Sequence, residues 1–237
     1  MIFLTGAGSG FGAAICDELV RRHMGFTPIT HGSSLGGEPA DIAVNLDDIH
    51  STRKAAEQVA QVAAGPTEIV FAAGVLGSVT NATSVSVEEV MECVHVNALS
   101  LKPFIDATIH SQEHVRYWLV SSGAAQKPYP AMLSYCVSKA AAEMLFRTYA
   151  SEFRTHSFVA VNPGPMFTRM NEQIQSSNVS GFPELAKFSD PELVAQPAIR
   201  ARQLVDHLTQ PTNPGFTELD LRSSSQEVRS KTKQPGS

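Results

Sequence analysis

The chain opens on an unbroken apolar run, Met1-Ile2-Phe3-Leu4, and similar runs return at regular intervals. A short continuous apolar stretch bounded by turn residues reads as a strand buried on both faces, as in a parallel sheet. Strands are expected at 1–5, 26–30, 41–45, 68–73, 115–121, 157–161 and 216–221. Between them, apolar positions recur at three- and four-residue spacing. This predicts helices over about 11–23, 50–63, 86–110, 134–153 and 190–209. Alternation of strands and helices implies right-handed crossovers and a single α/β domain with a doubly wound parallel sheet, spanning residues 1–222. Residues 223–237 hold Ser, Lys, Gln, Pro and Gly without periodicity and are expected to be a disordered tail.

One helix carries a polar intruder. Val90, Val94, Asn97, Leu101 and Ile105 form a 3.6-residue stripe, so Asn97 faces inward among apolar side chains and needs partners for its amide. Pro103 is expected to bend this helix.

Composition narrows the function. Hydrophobic residues make up 43% of 237 residues, enough for one sizeable core. A net charge of −5 offers no field for nucleic acid or an anionic membrane, and no apolar run approaches a membrane span. Cys16, Cys93 and Cys136 form no C-x-x-C and read as free thiols in a reducing compartment. The chain begins directly with a strand, so a cytoplasmic location is expected, and the N-x-S/T matches at Asn81 and Asn178 carry no weight.

The candidate chemistry lies in two places. Tyr135 and Lys139 are four residues apart on a predicted helix and therefore share a face. An ammonium beside a phenol favours the phenolate, so Lys139 is expected to pull Tyr135 below its ordinary pKa of about 10, towards general acid–base duty. Cys136 adjoins the tyrosine but points elsewhere on a helix and reads as packing. Ser122, thirteen positions before Tyr135, ends a strand at the carboxyl edge where open α/β sheets bind ligands. The second place is the turn Thr5-Gly6-Ala7-Gly8-Ser9-Gly10-Phe11-Gly12, set between the first strand and a helix. Strand, glycine turn and helix together suit a dinucleotide pyrophosphate, which rests on the helix N-terminus.

Two rival readings compete with this chemistry. His110-Ser111-Gln112-Glu113-His114 spells H-x-x-E-H, a zinc-protease pattern. It falls at a helix end before a strand, with no third ligand at a sensible distance, and a solvated helix end is the better reading; no metal is expected. A Ser/His/Asp hydrolase is disfavoured because Ser122 lacks a G-x-S-x-G elbow.

Taken together, these motifs resemble the short-chain dehydrogenase/reductase family over about residues 1–222. The family's T-G-x3-G-x-G is matched by Thr5, Gly6, Gly10 and Gly12; its active-site set by Asn97, Ser122, Tyr135 and Lys139; its Pro-Gly and following Thr by Pro163, Gly164 and Thr168. The resemblance implies hydride transfer between a nicotinamide and a carbonyl or secondary alcohol. Tyr135 would act as acid/base, Lys139 would bind the nicotinamide ribose, Ser122 would orient the substrate oxygen, and Asn97 would hold a water in the proton path. It further implies cofactor contacts from Gly8, Ser9, Phe11, Ser33, Ser34, Asn45, Leu46, Ala73 and Gly74, and a substrate lid over about 165–190. Two departures stand out. Phe71-Ala72-Ala73-Gly74 replaces Asn-Asn-Ala-Gly, which is expected to loosen the sheet centre, and Asn45 replaces an aspartate. Thr30-His31-Gly32-Ser33-Ser34 holds no carboxylate to repel a 2′-phosphate, so NADP(H) is favoured over NAD(H). In relatives the 86–110 and 134–153 helices pair across a two-fold axis. A homodimer or homotetramer follows, with the small Ala140, Ala141 and Ala142 allowing close approach. The alternative of another class is a non-catalytic NADP(H)-binding sensor of the same fold. Among subgroups, the chain looks similar to sepiapterin-reductase-like and small carbonyl-reductase members.

Overall fold

Successive side chains on a strand point to opposite faces, so one apolar run can serve two cores. In the first strand, β1 (Ile2–Thr5), Phe3 enters one core while Ile2 and Leu4 enter the other. The computed structural model describes residues 1–31, 42–110, 113–177 and 182–222. In these residues β1 is followed by α1 (Gly10–Arg21), β2 (Phe26–His31), β3 (Ile42–Val44), α2 (Ile49–Val62), β4 (Thr67–Phe71), α3 (Val87–Val94) and α4 (Leu101–Ile109). The second half holds β5 (Val115–Val120), α5 (Leu133–Glu152), β6 (Ser157–Asn162), α6 (Arg169–Ser176), α7 (Pro197–Leu208) and β7 (Gly215–Asp220).

The described strands form one seven-stranded sheet in the order β3-β2-β1-β4-β5-β6-β7, parallel throughout. The order reverses between β1 and β4, and the crevice at that switch point is where such sheets bind ligands. On one face, Phe3, Ile69, Phe71, Tyr117, Leu119 and Phe158 pack with α2, α4 and α5. On the other, Ile2, Leu4, Val70, Trp118, Val159 and Val161 pack with α1 and α7. Phe71 does not loosen the sheet centre. It is fully buried, with the rings of Phe104 and Phe146 each 6.1 Å away, and Thr5 Oγ1 accepts from the N–H groups of Ala72 and Ala73 at 3.2 and 3.3 Å.

The expected helix over 86–110 is three pieces. Between α3 and α4, His95–Leu99 is a π-helical turn, closed by Ser100 N–H donating to His95 O at 2.9 Å. The irregularity sits a turn before Pro103, which lies in the first turn of α4. A proline there leaves the Leu99 carbonyl without its ordinary i+4 donor, and the chain widens upstream to compensate. Pro197 likewise opens α7 at its first position, so that helix starts seven residues later than its apolar spacing implied.

Candidate active site

Three carboxyl-edge loops meet above the switch point and enclose a cleft of about 800 Å³. The first is the glycine turn. Gly6 has φ +72°, and a Cβ there would lie 2.6 Å from Ala73 N; a Cβ on Gly12 would lie 2.0 Å from Gly6 O. These two glycines let the turn, α1 and the end of β4 pack backbone to backbone. Gly10 differs: its φ is +54°, but the nearest atom to a Cβ there is Thr168 Cγ2 at 3.6 Å. It faces open space in the cleft beside Ser9 and Phe11. Ser9 is the N-cap of α1, its side chain makes no cap hydrogen bond, and no acidic residue occupies the first turn. The positive end of α1 is thus left for an external anion.

The second loop follows β5. Ser122 Oγ accepts from Ala124 N–H at 3.2 Å and is hydrogen-bonded to the Tyr135 phenol. Its neighbour Ser121 is buried and instead donates to Glu143 Oε1 at 2.6 Å. Tyr135 and Lys139 share one face of α5, as their spacing predicts. Lys139 is buried, and its Nζ donates to Val120 O at 2.8 Å and lies 5.6 Å from the Tyr135 ring centre.

That geometry corrects the electrostatics expected from spacing. Burial pushes the Tyr135 phenol up to about 12, with the Ser122 hydrogen bond opposing it. Burial also pulls Lys139 down to about 8, with the Glu143 carboxylate opposing that shift. Desolvation outweighs the ammonium because Lys139 is held over the ring and turned to a carbonyl. Cys136 accepts from Tyr129 N–H at 3.4 Å through Sγ, and burial raises its pKa, so it is a packed thiol.

Asn97 sits in the π-helical turn, fully buried. Its Oδ1 accepts from Val75 N–H, and its Nδ2 donates to Val75 O and to Ser138 Oγ, each at 2.8 Å. Ser138 Oγ in turn donates to Tyr135 O at 2.9 Å. The amide clamps the loop after β4 onto α5, the helix that carries Tyr135 and Lys139. A second clamp escaped sequence reading: Glu89 accepts from Ser78 N–H, Ser78 Oγ and Ser134 Oγ at 2.9, 2.7 and 2.8 Å, which holds its carboxyl below its ordinary value.

The third loop follows β6. Asn162 Oδ1 accepts from Gly164 N–H at 3.1 Å, and Thr168 caps α6. The segment expected to form a substrate lid, about 165–190, contains α6 and a short helical turn, Pro183–Phe188.

Ser9, Gly10, Phe11, Gly6, Ala73, Gly74, Ser122, Tyr135, Lys139, Pro163, Gly164 and Thr168 therefore line one cleft. Thr5, Gly8, Gly12, Asn45, Leu46 and Asn97 do not line it. Thr5 and Gly12 shape the turn, Gly8 is exposed, and Leu46 packs on the core. Asn45 Oδ1 accepts from Asp47 N–H at 3.1 Å. Ser33 and Ser34 lie outside the described residues. Glu143, one helical turn beyond Lys139, was missed, although its i+4 spacing was the available signal. Among the described residues no group of His, Cys, Asp and Glu could hold a metal, and His114 Nδ1 is hydrogen-bonded to Thr155 O. No described helix is long and apolar enough to cross a membrane.

Residues 1–179 match the short chain dehydrogenase family. The chain belongs to that family. Members are oxidoreductases that bind NAD(P), and the glycine turn and Tyr135–Lys139 face lie within the matched residues. An uncharacterized oxidoreductase of Schizosaccharomyces pombe is 27% identical over 190 residues, covering 75% of each chain. Sepiapterin reductase of Xenopus laevis is 29% identical over 195 residues, covering 71% of this chain and 74% of that one. In fold, the chain is similar to a short chain dehydrogenase/reductase of Saccharomyces cerevisiae, with a TM-score of 0.76, 20% identity, and coverage of 94% of this chain and 96% of that one.

Proposed function

We propose that the protein is an NADP(H)-dependent carbonyl reductase or alcohol dehydrogenase. The observation that carries this reading is the hydrogen-bonded Ser122–Tyr135 pair, with Lys139 behind it, in the same cleft as the uncapped N-terminus of α1. The donor set fits a dinucleotide. Gly10 leaves room where a Cβ would intrude on a close ligand, and the first turn of α1 presents unneutralised N–H groups to a pyrophosphate. Thr168 and Gly164 border the same space, Lys139 would hold a ribose hydroxyl, and Asn45 and Leu46, which follow β3, would hold the adenine part. Ser33 and Ser34, in a run without a carboxylate, would receive a 2′-phosphate.

The bound nicotinamide would supply the hydride; the protein supplies position and the proton. With a phenol at about 12, Tyr135 is protonated at neutral pH and donates to the substrate oxygen as the carbonyl becomes an alcohol. Ser122 holds that oxygen. Lys139, mostly charged at pH 7, stabilises the phenolate left behind. Asn97 supports the proton path by fixing Gly74–Val75 against α5, and the 165–190 segment sets substrate preference.

The protein acts in the cytoplasm and assembles as a homodimer or homotetramer. Met91, Leu99, Val137 and Met144 are exposed on α3, the π turn and α5, an apolar set suited to a subunit contact. Ala142 is buried against its own sheet and only Ala140 and Ala141 remain for that contact. A monomeric mass by light scattering at micromolar concentration would refute the assembly.

The test is steady-state oxidation of NADPH and NADH with a panel of ketones and diketones. Turnover with NADPH preferred is expected. Tight NADPH binding with no turnover of any carbonyl would favour the sensor reading, and a tenfold preference for NADH would overturn the cofactor assignment.

A further inference from the structure

The protein carries a net charge of −5, yet the cleft is lined by Lys127, Lys139, Arg169, Lys187 and Arg222, with no Asp or Glu among its described lining residues. Lys139 serves the Tyr135 phenol. Arg169 follows Thr168, which borders Gly10, and so belongs to the glycine-turn end. Arg222 is paired with Asp220, its Nε 2.9 Å from Oδ1. Lys127 and Lys187 remain, and among the described residues neither pairs with a carboxylate.

Both converge on one aromatic ring. Lys187 Nζ lies 3.6 Å and Lys127 Nζ 5.6 Å from the centre of Tyr129. Tyr129 lines the cleft beside the loop that carries Ser122. A Cβ on Gly123, the residue after Ser122, would meet the Tyr129 hydroxyl at 2.8 Å and Lys127 Cε at 3.8 Å. The ring also packs against the apolar group of Leu76, Met132, Tyr135 and Ile174. Two ammonium groups gathered around one tyrosine ring repel each other, and the ring quadrupole offsets only part of that repulsion. An oxyanion between them would offset the rest and gain charge-assisted hydrogen bonds from Lys127, Lys187 and the Tyr129 hydroxyl.

Resting on the reading of this cleft as a carbonyl-reducing site, we propose that Lys127, Tyr129 and Lys187 bind a carboxylate carried by the substrate, so that the protein acts on keto acids in preference to neutral ketones. The apolar wall between this cluster and Ser122 receives the carbon skeleton joining the two groups. The cluster also steers anionic substrates into the cleft against the negative charge of the whole molecule.

The experiment compares 4-acetylbenzoate with its methyl ester, which differ in charge but share the ketone. Calorimetric titration of each into the NADPH-loaded protein is paired with kcat/KM for reduction. The acid should bind and react about tenfold or more better than the ester at low ionic strength, as one charge-assisted contact provides, and the advantage should shrink in 0.5 M salt. In Lys127→Met/Lys187→Met the acid should lose about tenfold while the ester and the NADPH dissociation constant stay within about twofold. Equal binding of acid and ester, or a variant that loses NADPH affinity while keeping the preference for acid, would overturn the proposal. If neither ketone is reduced, the carbonyl-reductase reading fails, and the calorimetric preference still decides the carboxylate site.

Discussion

Lys139 Nζ donates to the main-chain oxygen of Val120, which sets the ammonium beneath the Tyr135 ring and turns it to the last residue of β5. The sheet edge itself, through one carbonyl, therefore fixes the ammonium that shares the Tyr135 face of α5. Burial moves the two pKa values in opposite directions, the phenol up to about 12 and the amine down to about 8, whereas an ammonium–phenolate contact would lower the phenol and raise the amine.

Tyr135→Phe removes the proton donor and little volume. Carbonyl reduction should fall by about 10²–10⁴-fold, the usual contribution of a positioned acid. NADPH affinity, read by fluorescence titration, should barely change. Near-wild-type turnover in this variant would end the assigned mechanism.

The pH dependence follows from Lys139. Its pKa is lowered by burial to about 8, so it loses charge as pH rises through that value. Tyr135 remains protonated over the same range. The kcat/KM for reduction should be flat below about pH 7 and fall above about pH 8 as the stabilising charge disappears. Stability should move the other way. A lysine depressed in the folded state binds fewer protons than in the unfolded chain between about pH 8 and its ordinary 10.5, so unfolding free energy gains with pH there. Lys139→Met lacks this term. Its stability relative to wild type should decline by about 1–3 kcal/mol from pH 7 to 9.5 in urea titrations. A difference that stays constant with pH would contradict the buried charge.

The sheet was legible in the chain because buried parallel strands need continuous apolar runs, and Ile2–Thr5, Thr67–Phe71 and Ser157–Asn162 carry them. The Ser122, Tyr135 and Lys139 constellation was legible because helical spacing and the strand end both constrain it. The break at His95–Leu99 was not, since Pro103 reads as a local bend while its missing donor is felt four residues upstream. Helix α6 was hidden because its capping signal, Thr168 accepting from Asn171 N–H at 3.4 Å, precedes only two apolar residues, Met170 and Ile174. The Tyr135 and Lys139 shifts depend on desolvation, which no pair spacing reports. Tyr129 and Lys187 meet across 58 positions, beyond any local pattern.

The glycine turn separates folding from binding. Gly12→Ala would set a Cβ 2.0 Å from Gly6 O, backbone against backbone, and the variant should be insoluble or lose more than about 3 kcal/mol. Gly10→Ala meets only Thr168 Cγ2 at 3.6 Å and carries the cost of a left-handed conformation, about 1–2 kcal/mol. It should fold with a small drop in thermal midpoint and yet lose NADPH affinity tenfold or more, because the methyl group stands where the ligand must approach. A Gly10→Ala protein that binds NADPH like wild type would show that the pyrophosphate lies elsewhere.

Asn97 gives the last test, because its amide is satisfied on three sides. Oδ1 accepts from Val75 N–H while Nδ2 donates to Val75 O and Ser138 Oγ. Asn97→Ala leaves these partners without it, and each buried orphan costs about 1–3 kcal/mol, so the thermal midpoint should drop. Asn97→Asp separates clamp from mere burial. An ionised carboxylate still accepts from Val75 N–H but faces the Val75 carbonyl, an acceptor against an acceptor. A protonated carboxyl can donate one hydrogen bond and restore part of the clamp. Asn97→Asp should therefore be less active than wild type at pH 8, through kcat more than KM, and should recover relative to wild type as pH falls towards 5.5. Asn97→Ala should show no such recovery. If the two variants follow the same pH profile, the amide does not act through the Val75 clamp, and its role is confined to filling the π-helical turn.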